Sequence, residues 1–279
     1  MIPRSWLCAP AFHAKLLDKA IEASADIALI DLEDSIPADR KADARATLVD
    51  HFREPAGVPV AVRINSLATT DGLKDLLFVL DHAIVPSVIL LAKANLPAEA
   101  ALATALFRER ACPAIEVFAI IETVSSLWSL RTLTATPPGL SGLVFGAADF
   151  AADLGVPPTV TDLRFVKQEI ALAARRFGVA AIDSPCFQLR DRAELDLETQ
   201  DARRLGFAGK IAIHPDQVPL INERFAPSPQ AVDDARELIA ASERDRASAI
   251  QRIGDRMIGP PFLKYARQVL SSAAPVRRR

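Results

Sequence analysis

Cysteine is scarce: three residues in 279, Cys8, Cys112 and Cys186, an odd number with no CxxC pair. That argues against a disulfide scaffold or a cysteine-built structural zinc, and for a reducing compartment. Long apolar runs are missing too. None reaches the roughly 18 residues of a membrane span, and the opening MIPRSWLCAPAFHAK has no long apolar core of the kind a signal peptide carries. The expectation is a soluble, cytoplasmic protein. No excess of either charge exists: 33 basic side chains face 35 acidic ones. This gives no basic field for nucleic acid and no acidic block typical of disorder. Arg277, Arg278 and Arg279 form a short basic run, read as a solvated tail. GxxxxGK[ST], strand-borne GxGxxG, GxSxG and HExxH are all missing. Triphosphate hydrolysis, hydride transfer and serine hydrolysis therefore lack support.

Half the residues are apolar, enough for a large core. Their arrangement is repetitive. Short apolar runs at 5–9, 27–32, 60–64, 88–91, 116–121, 143–146, 179–183 and 210–214 read as strands. Amphipathic stretches at 13–24, 40–51, 71–81, 97–110, 123–133, 161–177, 191–205 and 215–223 read as helices. Eight strands, each followed by a helix, predict an α/β fold, a (β/α)8 TIM barrel; an open doubly wound sheet is the rival. Asp39 and the pair Thr70-Asp71 are expected helix caps, and Gly178 and Gly206 expected helix stops. The chain then divides into a barrel over 1–225 and an appended C-terminal helical arm over 226–279. The arm would pack on the barrel or on a neighbouring subunit.

Six residues that can ionise or bind metal fall at strand ends: Asp31, Arg63, Lys93, Glu122, Asp149 and His214. A parallel barrel gathers its strand ends at one rim, so residues far apart in sequence meet there. Glu122 and Asp149 could supply hard oxygen ligands to one Mg2+; the plainer alternative is that both cap helices. Asp31, Glu33 and Asp34 form an acidic cluster that needs a cation nearby, or else simply decorates a helix start. Arg63 suits a substrate carboxylate or an enolate oxygen, with a salt bridge to Asp31 or Glu33 as its alternative. Lys93 could do similar work, or form a Schiff base. His214, ahead of Pro215, reads more readily as structural, and Arg4 could reach an anion at the edge of the barrel.

Several segments together resemble the citrate lyase beta-subunit-like family of HpcH/HpaI aldolases, over almost the whole chain. They are DLEDSI (31–36), Lys41 with AR (44–45), VRIN (62–65), LLAK (90–93), IIET (120–123), GAADFAADLG (146–155), AIDSP (181–185), GFAGKIAIHPDQ (206–217) and RMIGPP (256–261). The resemblance implies a TIM barrel, often trimeric, with an exchanged or packed arm. It implies Mg2+-dependent carbon–carbon cleavage or formation in 3-hydroxyacyl-CoA thioesters such as malyl-, citramalyl- or citryl-CoA, with a 2-oxo acid as partner. By position, Glu122 and Asp149 become metal ligands, Arg63 binds substrate beside the metal, and Lys15 and Lys19 lie near the CoA moiety.

The chain also departs from that pattern. It has Leu7-Cys8-Ala9-Pro10-Ala11 where the family has a larger residue, valine and Pro-Gly, and Ala92-Lys93 for Pro-Lys. Gly259 stands where the family carries an aspartate thought to move a proton in a neighbour's site. Asp255 lies four residues earlier and could replace it only through a shift of the arm. The base is then unassigned between Asp34 and a metal-shell water. Two other readings follow: a thioester hydrolase in the same pocket, and a metal- and CoA-binding subunit without turnover.

Overall fold

Strands that are apolar on both faces must be covered on both, and a barrel wrapped in helices provides that cover. The computed structural model describes residues 3–53, 57–112, 114–158, 162–244, 251–253 and 256–273. Its first eight strands are β1 (Ser5–Pro10), β2 (Ile27–Asp31), β3 (Val60–Ile64), β4 (Val88–Leu91), β5 (Glu116–Ile121), β6 (Leu140–Phe145), β7 (Ala180–Asp183) and β8 (Gly209–Ala212). They close into one parallel barrel in chain order. Because β1 pairs with β8 as well as with β2, no edge is left open and the doubly wound rival falls.

The helices between them are α1 (Leu16–Glu22), α2 (Lys41–His51), α3 (Thr70–Asp81), α4 (Ala98–Glu109), α5 (Val124–Thr132), α6 (Ala147–Leu154), α7 (Arg164–Phe177) and α8 (Arg192–Leu205), and α9 (Val218–Phe225) follows β8. Period-two alternation sorts the strand residues into two cores. Trp6, Leu29, Ala61, Leu90, Phe118, Ile120, Val144 and Ile182 fill the barrel, with the Trp6 and Phe118 rings 5.3 Å apart. Leu7, Ile30, Val62, Ile89, Ala119, Leu143 and Ala181 face the helices. Each large apolar side chain so buried contributes about 1.5–3 kcal/mol.

The expected glycine stops are present, and the expected caps are not. Gly178 and Gly206 do end α7 and α8 in the left-handed region, at φ 71° and 102°, where a β-carbon would be strained. The caps are corrected. Thr69, not Thr70-Asp71, caps α3: its extended backbone lets Oγ1 accept from the Gly72 amide at 3.1 Å, while Thr70 and Asp71 are already helical. Asp39 lies inside a 3-10 turn (Ala38–Arg40), and Arg40, at the start of α2, makes no side-chain cap bond. Between β6 and β7 the chain forms two helices, and α6 starts immediately after β6.

Beyond the barrel, α10 (Pro229–Arg244) and α11 (Pro260–Ala273) pair through a small cluster of their own, Ala235, Ala266 and Val269. A short antiparallel pair, β9 (Gln251–Ile253) and β10 (Arg256–Ile258), joins them; its three-residue strands have no readable alternation in the sequence. Arg4 is corrected from a possible anion site to a structural tie. Its Nη2 donates to the Ser272 carbonyl of α11 at 2.5 Å, and its amide donates to Asp26 at 2.7 Å. No described helix is long and apolar enough to cross a membrane.

Candidate active site

Inward-facing positions at the ends of β2, β3 and β5 place three charged side chains at one mouth of the barrel. Asp31 and Arg63 are register partners on neighbouring strands. Arg63 grips Asp31 with both prongs, Nε to Oδ1 at 2.6 Å and Nη2 to Oδ2 at 2.7 Å. The Asp31 carboxylate also accepts the amides of Glu33 (2.9 Å) and Ser35 (3.2 Å). Burial alone would raise Asp31, but Arg63 and these amides outweigh it and hold the carboxyl below its usual range. Arg63 is thus chiefly a partner of Asp31, the alternative weighed from sequence. Nη1 and the second Nη2 proton are left for other work, and Nη1 lies 3.1 Å from Glu33 Oε2.

Lys93 is the hub of the mouth. Strand alternation would send it away from the barrel axis, but its backbone sits in the left-handed region at φ 50°. That is an uncommon, strained choice for a non-glycine residue, of the kind that clusters at functional sites. It lets the Lys93 amide donate to Glu122 Oε1 at 2.6 Å while Nζ bonds Glu33 Oε1. Nζ also lies 3.6 Å from Asp34 and 3.9 Å from Asp149. Burial pulls the ammonium down, but Glu33 and the surrounding carboxylates prevail and keep Lys93 above its ordinary value. A lysine held protonated is a poor nucleophile, which weighs against the Schiff-base alternative.

Glu122 is 1% exposed. Burial, then the Glu33 charge, pushes its carboxyl up to about 7. Burial and Asp34 raise Asp149 as well, from its place in the first turn of α6. Among the described residues, two cations therefore face Asp31, Glu33, Asp34, Glu122 and Asp149, and one of them is committed to Asp31. Under-neutralised carboxylates of this kind offer the hard oxygen donors that a divalent cation of the Mg2+ type takes.

The mouth brings together Asp31, Glu33, Asp34, Arg63, Lys93, Glu122 and Asp149. It does not include His214, whose Nδ1 accepts the Asp216 amide at 3.2 Å and caps the 3-10 turn Pro215–Gln217. Lys15 is exposed just before α1 and Lys19 is half-buried within it. Among the described residues neither pairs with the carboxylate cluster.

Gly146, directly after β6, is a residue the sequence reading passed over as a site component. A β-carbon there would lie 2.5 Å from Glu122 Cβ and 2.6 Å from its Oε2. The glycine is needed for Glu122 to lie across the mouth, and its sequence signals were its place at a strand end and at the head of GAADFAADLG. Gly146→Ala is expected to fold, with a cost of about 1–3 kcal/mol from the overpacking. It should displace the carboxylate and abolish any thermal stabilisation by Mg2+, as read by calorimetry with and without the ion. An unchanged Mg2+ response would show that Glu122 does not need this space.

A closed parallel barrel with ionisable side chains gathered at its strand ends defines a TIM-barrel protein with the layout of an active site at that face. A family model, HpcH/HpaI aldolase/citrate lyase, matches residues 4–215, and the chain belongs to that family. Among curated proteins it is 34% identical to a citrate lyase subunit beta-like protein of Deinococcus radiodurans, over 97% of both chains. It is 29% identical to human mitochondrial citramalyl-CoA lyase, covering 99% of this chain and 87% of that one. Among solved structures it resembles the protein CitE of Mycobacterium tuberculosis in complex with magnesium, acetoacetate and coenzyme A. There the TM-score is 0.81 and the identity 28%, over 97% of this chain and 98% of that one.

Proposed function

We propose that the chain is a Mg2+-dependent carbon–carbon lyase for a short 3-hydroxyacyl-CoA thioester of the malyl-, citramalyl- or citryl-CoA type. The observation that carries this is the cluster around Lys93, in which Glu122 and Asp149 converge with too little positive charge to balance them. Mg2+ in the neighbouring CitE structure supports the same assignment, and when bound the ion would polarise substrate oxygens and offset charge at the mouth.

The side chains of the mouth then divide the remaining work. Arg63 Nη1 meets the substrate carboxylate or the enolate oxygen that develops on cleavage. Lys93 keeps Glu33 and the loop after β2 close to the reacting atoms. Asp34, half-exposed at the mouth, takes the hydroxyl proton, since Gly259 offers no side chain for that task. Gly259 instead starts α11, its carbonyl accepting the Phe262 amide at 3.0 Å; Asp255 lies outside the described residues. Lys15 and Lys19 belong to the CoA side of the site, where ammonium groups suit phosphates. The helical arm over 226–279 serves a homotrimer in the same reading, and the protein works in the cytoplasm.

The test is a panel of malyl-, methylmalyl-, citramalyl- and citryl-CoA with Mg2+ and with chelator, analysed for products. Acetyl- or propionyl-CoA plus an oxo acid, lost on chelation, is the expected result. Free CoA with an intact hydroxy diacid would mean thioester hydrolysis. Binding of thioester without any product would mean a non-catalytic subunit.

A further inference from the structure

The loop joining β2 to α2 carries Glu33 and Asp34 and follows Asp31, so three carboxylates are crowded within four residues. Like charges so close repel, and the loop needs to be held. From the mouth side, Asp31 accepts two of its amides. From behind, Lys41 takes its carbonyls. This residue opens α2 and is half-buried, and its ammonium has three partners: Leu32 O at 3.0 Å, Glu33 O at 2.7 Å and Asn65 Oδ1 at 2.7 Å. An ammonium has three protons, so its capacity is filled.

Asn65, just past β3, grips the same loop, its Nδ2 donating to Leu32 O at 2.9 Å. The fully buried Asp75 of α3 fixes the orientation of that amide. Its Oδ2 accepts from both Asn65 N (2.9 Å) and Nδ2 (2.6 Å). A flip of the amide would set oxygen against carboxylate. The Asp75 charge is met by buried Arg45, Nη1 to Oδ1 at 2.9 Å. A continuous chain, Arg45–Asp75–Asn65–Lys41, thus runs from the outer helices to the back of the Glu33–Asp34 loop.

We propose that Lys41 is a positioning residue: its ammonium, oriented by Asn65 and Asp75, clamps the loop after β2 so that Glu33 and Asp34 stay at the mouth. This rests on the lyase reading for its consequence in turnover, but not for the clamp itself. The experiment compares wild type, Lys41→Met and Lys41→Arg by hydrogen exchange and by steady-state kinetics. Lys74→Met, on the exposed side of α3, is the control.

In Lys41→Met, amide protection over 32–37 is expected to fall by about tenfold or more while β5 and β6 keep theirs. The kcat should fall by on the order of 10²-fold, as for a misplaced catalytic group, with KM little changed. Lys41→Arg keeps the charge but lacks the compact head that reaches three oxygens, so it should fall between the two. If the methionine variant opens throughout, the arginine variant carries the comparison. Wild-type protection over 32–37 in Lys41→Met overturns the clamp, and so does lost protection with full kcat. Should wild type turn over no thioester, the lyase reading fails, and the exchange data alone decide the clamp.

Discussion

In the Glu122→Gln variant, lyase turnover is expected to fall by on the order of 10³-fold, while the metal-free protein becomes harder to melt. The two effects have opposite signs because, in the proposed role, one carboxylate serves chemistry at the expense of the fold. Glu122 is buried beside other acids, so its carboxyl titrates at about 7 in place of the ordinary 4.5. The unfolded chain releases this proton near the ordinary value and the folded chain only near 7. Between those two pH values the folded state binds more protons, so stability falls as pH rises through the window and levels off above it. The full loss is about 3 kcal/mol. Glutamine cannot ionise and removes it. The melting difference between variant and wild type should therefore be near zero at pH 4.5 and largest above pH 7. Mg2+ should recover the loss in wild type but leave the variant unmoved. Melting curves that shift in parallel with pH would sink this account of Glu122.

Arg63→Met is expected to be the most destabilising single change at the mouth, costing about 3–5 kcal/mol. It leaves Asp31, 1% exposed, as a buried charge that has lost both guanidinium bonds. Asp31 cannot turn to water, since its oxygens also hold the Glu33 and Ser35 amides. Its folded carboxyl lies below the ordinary range. The stabilisation it brings is thus present above about pH 4 and is lost as pH falls through the lowered value. The cost of removing Arg63 should shrink accordingly in acid. Adding Asp31→Asn to Arg63→Met should recover much of the stability by removing the orphaned charge, without restoring turnover. That split separates the structural duty of Arg63 from its proposed duty toward the substrate. Urea denaturation at pH 7 checks it, and a double variant no more stable than Arg63→Met would contradict it.

Much of this was legible along the chain. Eight apolar runs spaced by amphipathic stretches gave the barrel, because strands covered on both faces show as short continuous runs and helices as 3.6-residue patterns. Strand-end positions bring Asp31, Arg63, Lys93, Glu122 and Asp149 to one rim, while His214, the sixth residue so placed, caps a turn instead. Errors fell where a single residue of register matters. Thr69 rather than Thr70 caps α3, because the backbone angle that makes a cap is set by the turn at Ser66, whose carbonyl accepts from the Thr69 amide. The β9–β10 pair was missed, since three-residue strands carry no period.

The amino-acid order therefore determined the barrel, its rim and the residue types that meet there, since these follow from hydrophobic period and strand count. Only the folded chain decided which charges pair. That Arg63 is committed to Asp31, that Lys93 turns back through a left-handed backbone to Glu33, that Gly146 clears space for Glu122, and that Lys41 holds the loop from behind all depend on distances between segments 8 to 60 residues apart. Those distances are set by strand register and helix packing, which no local window of sequence encodes.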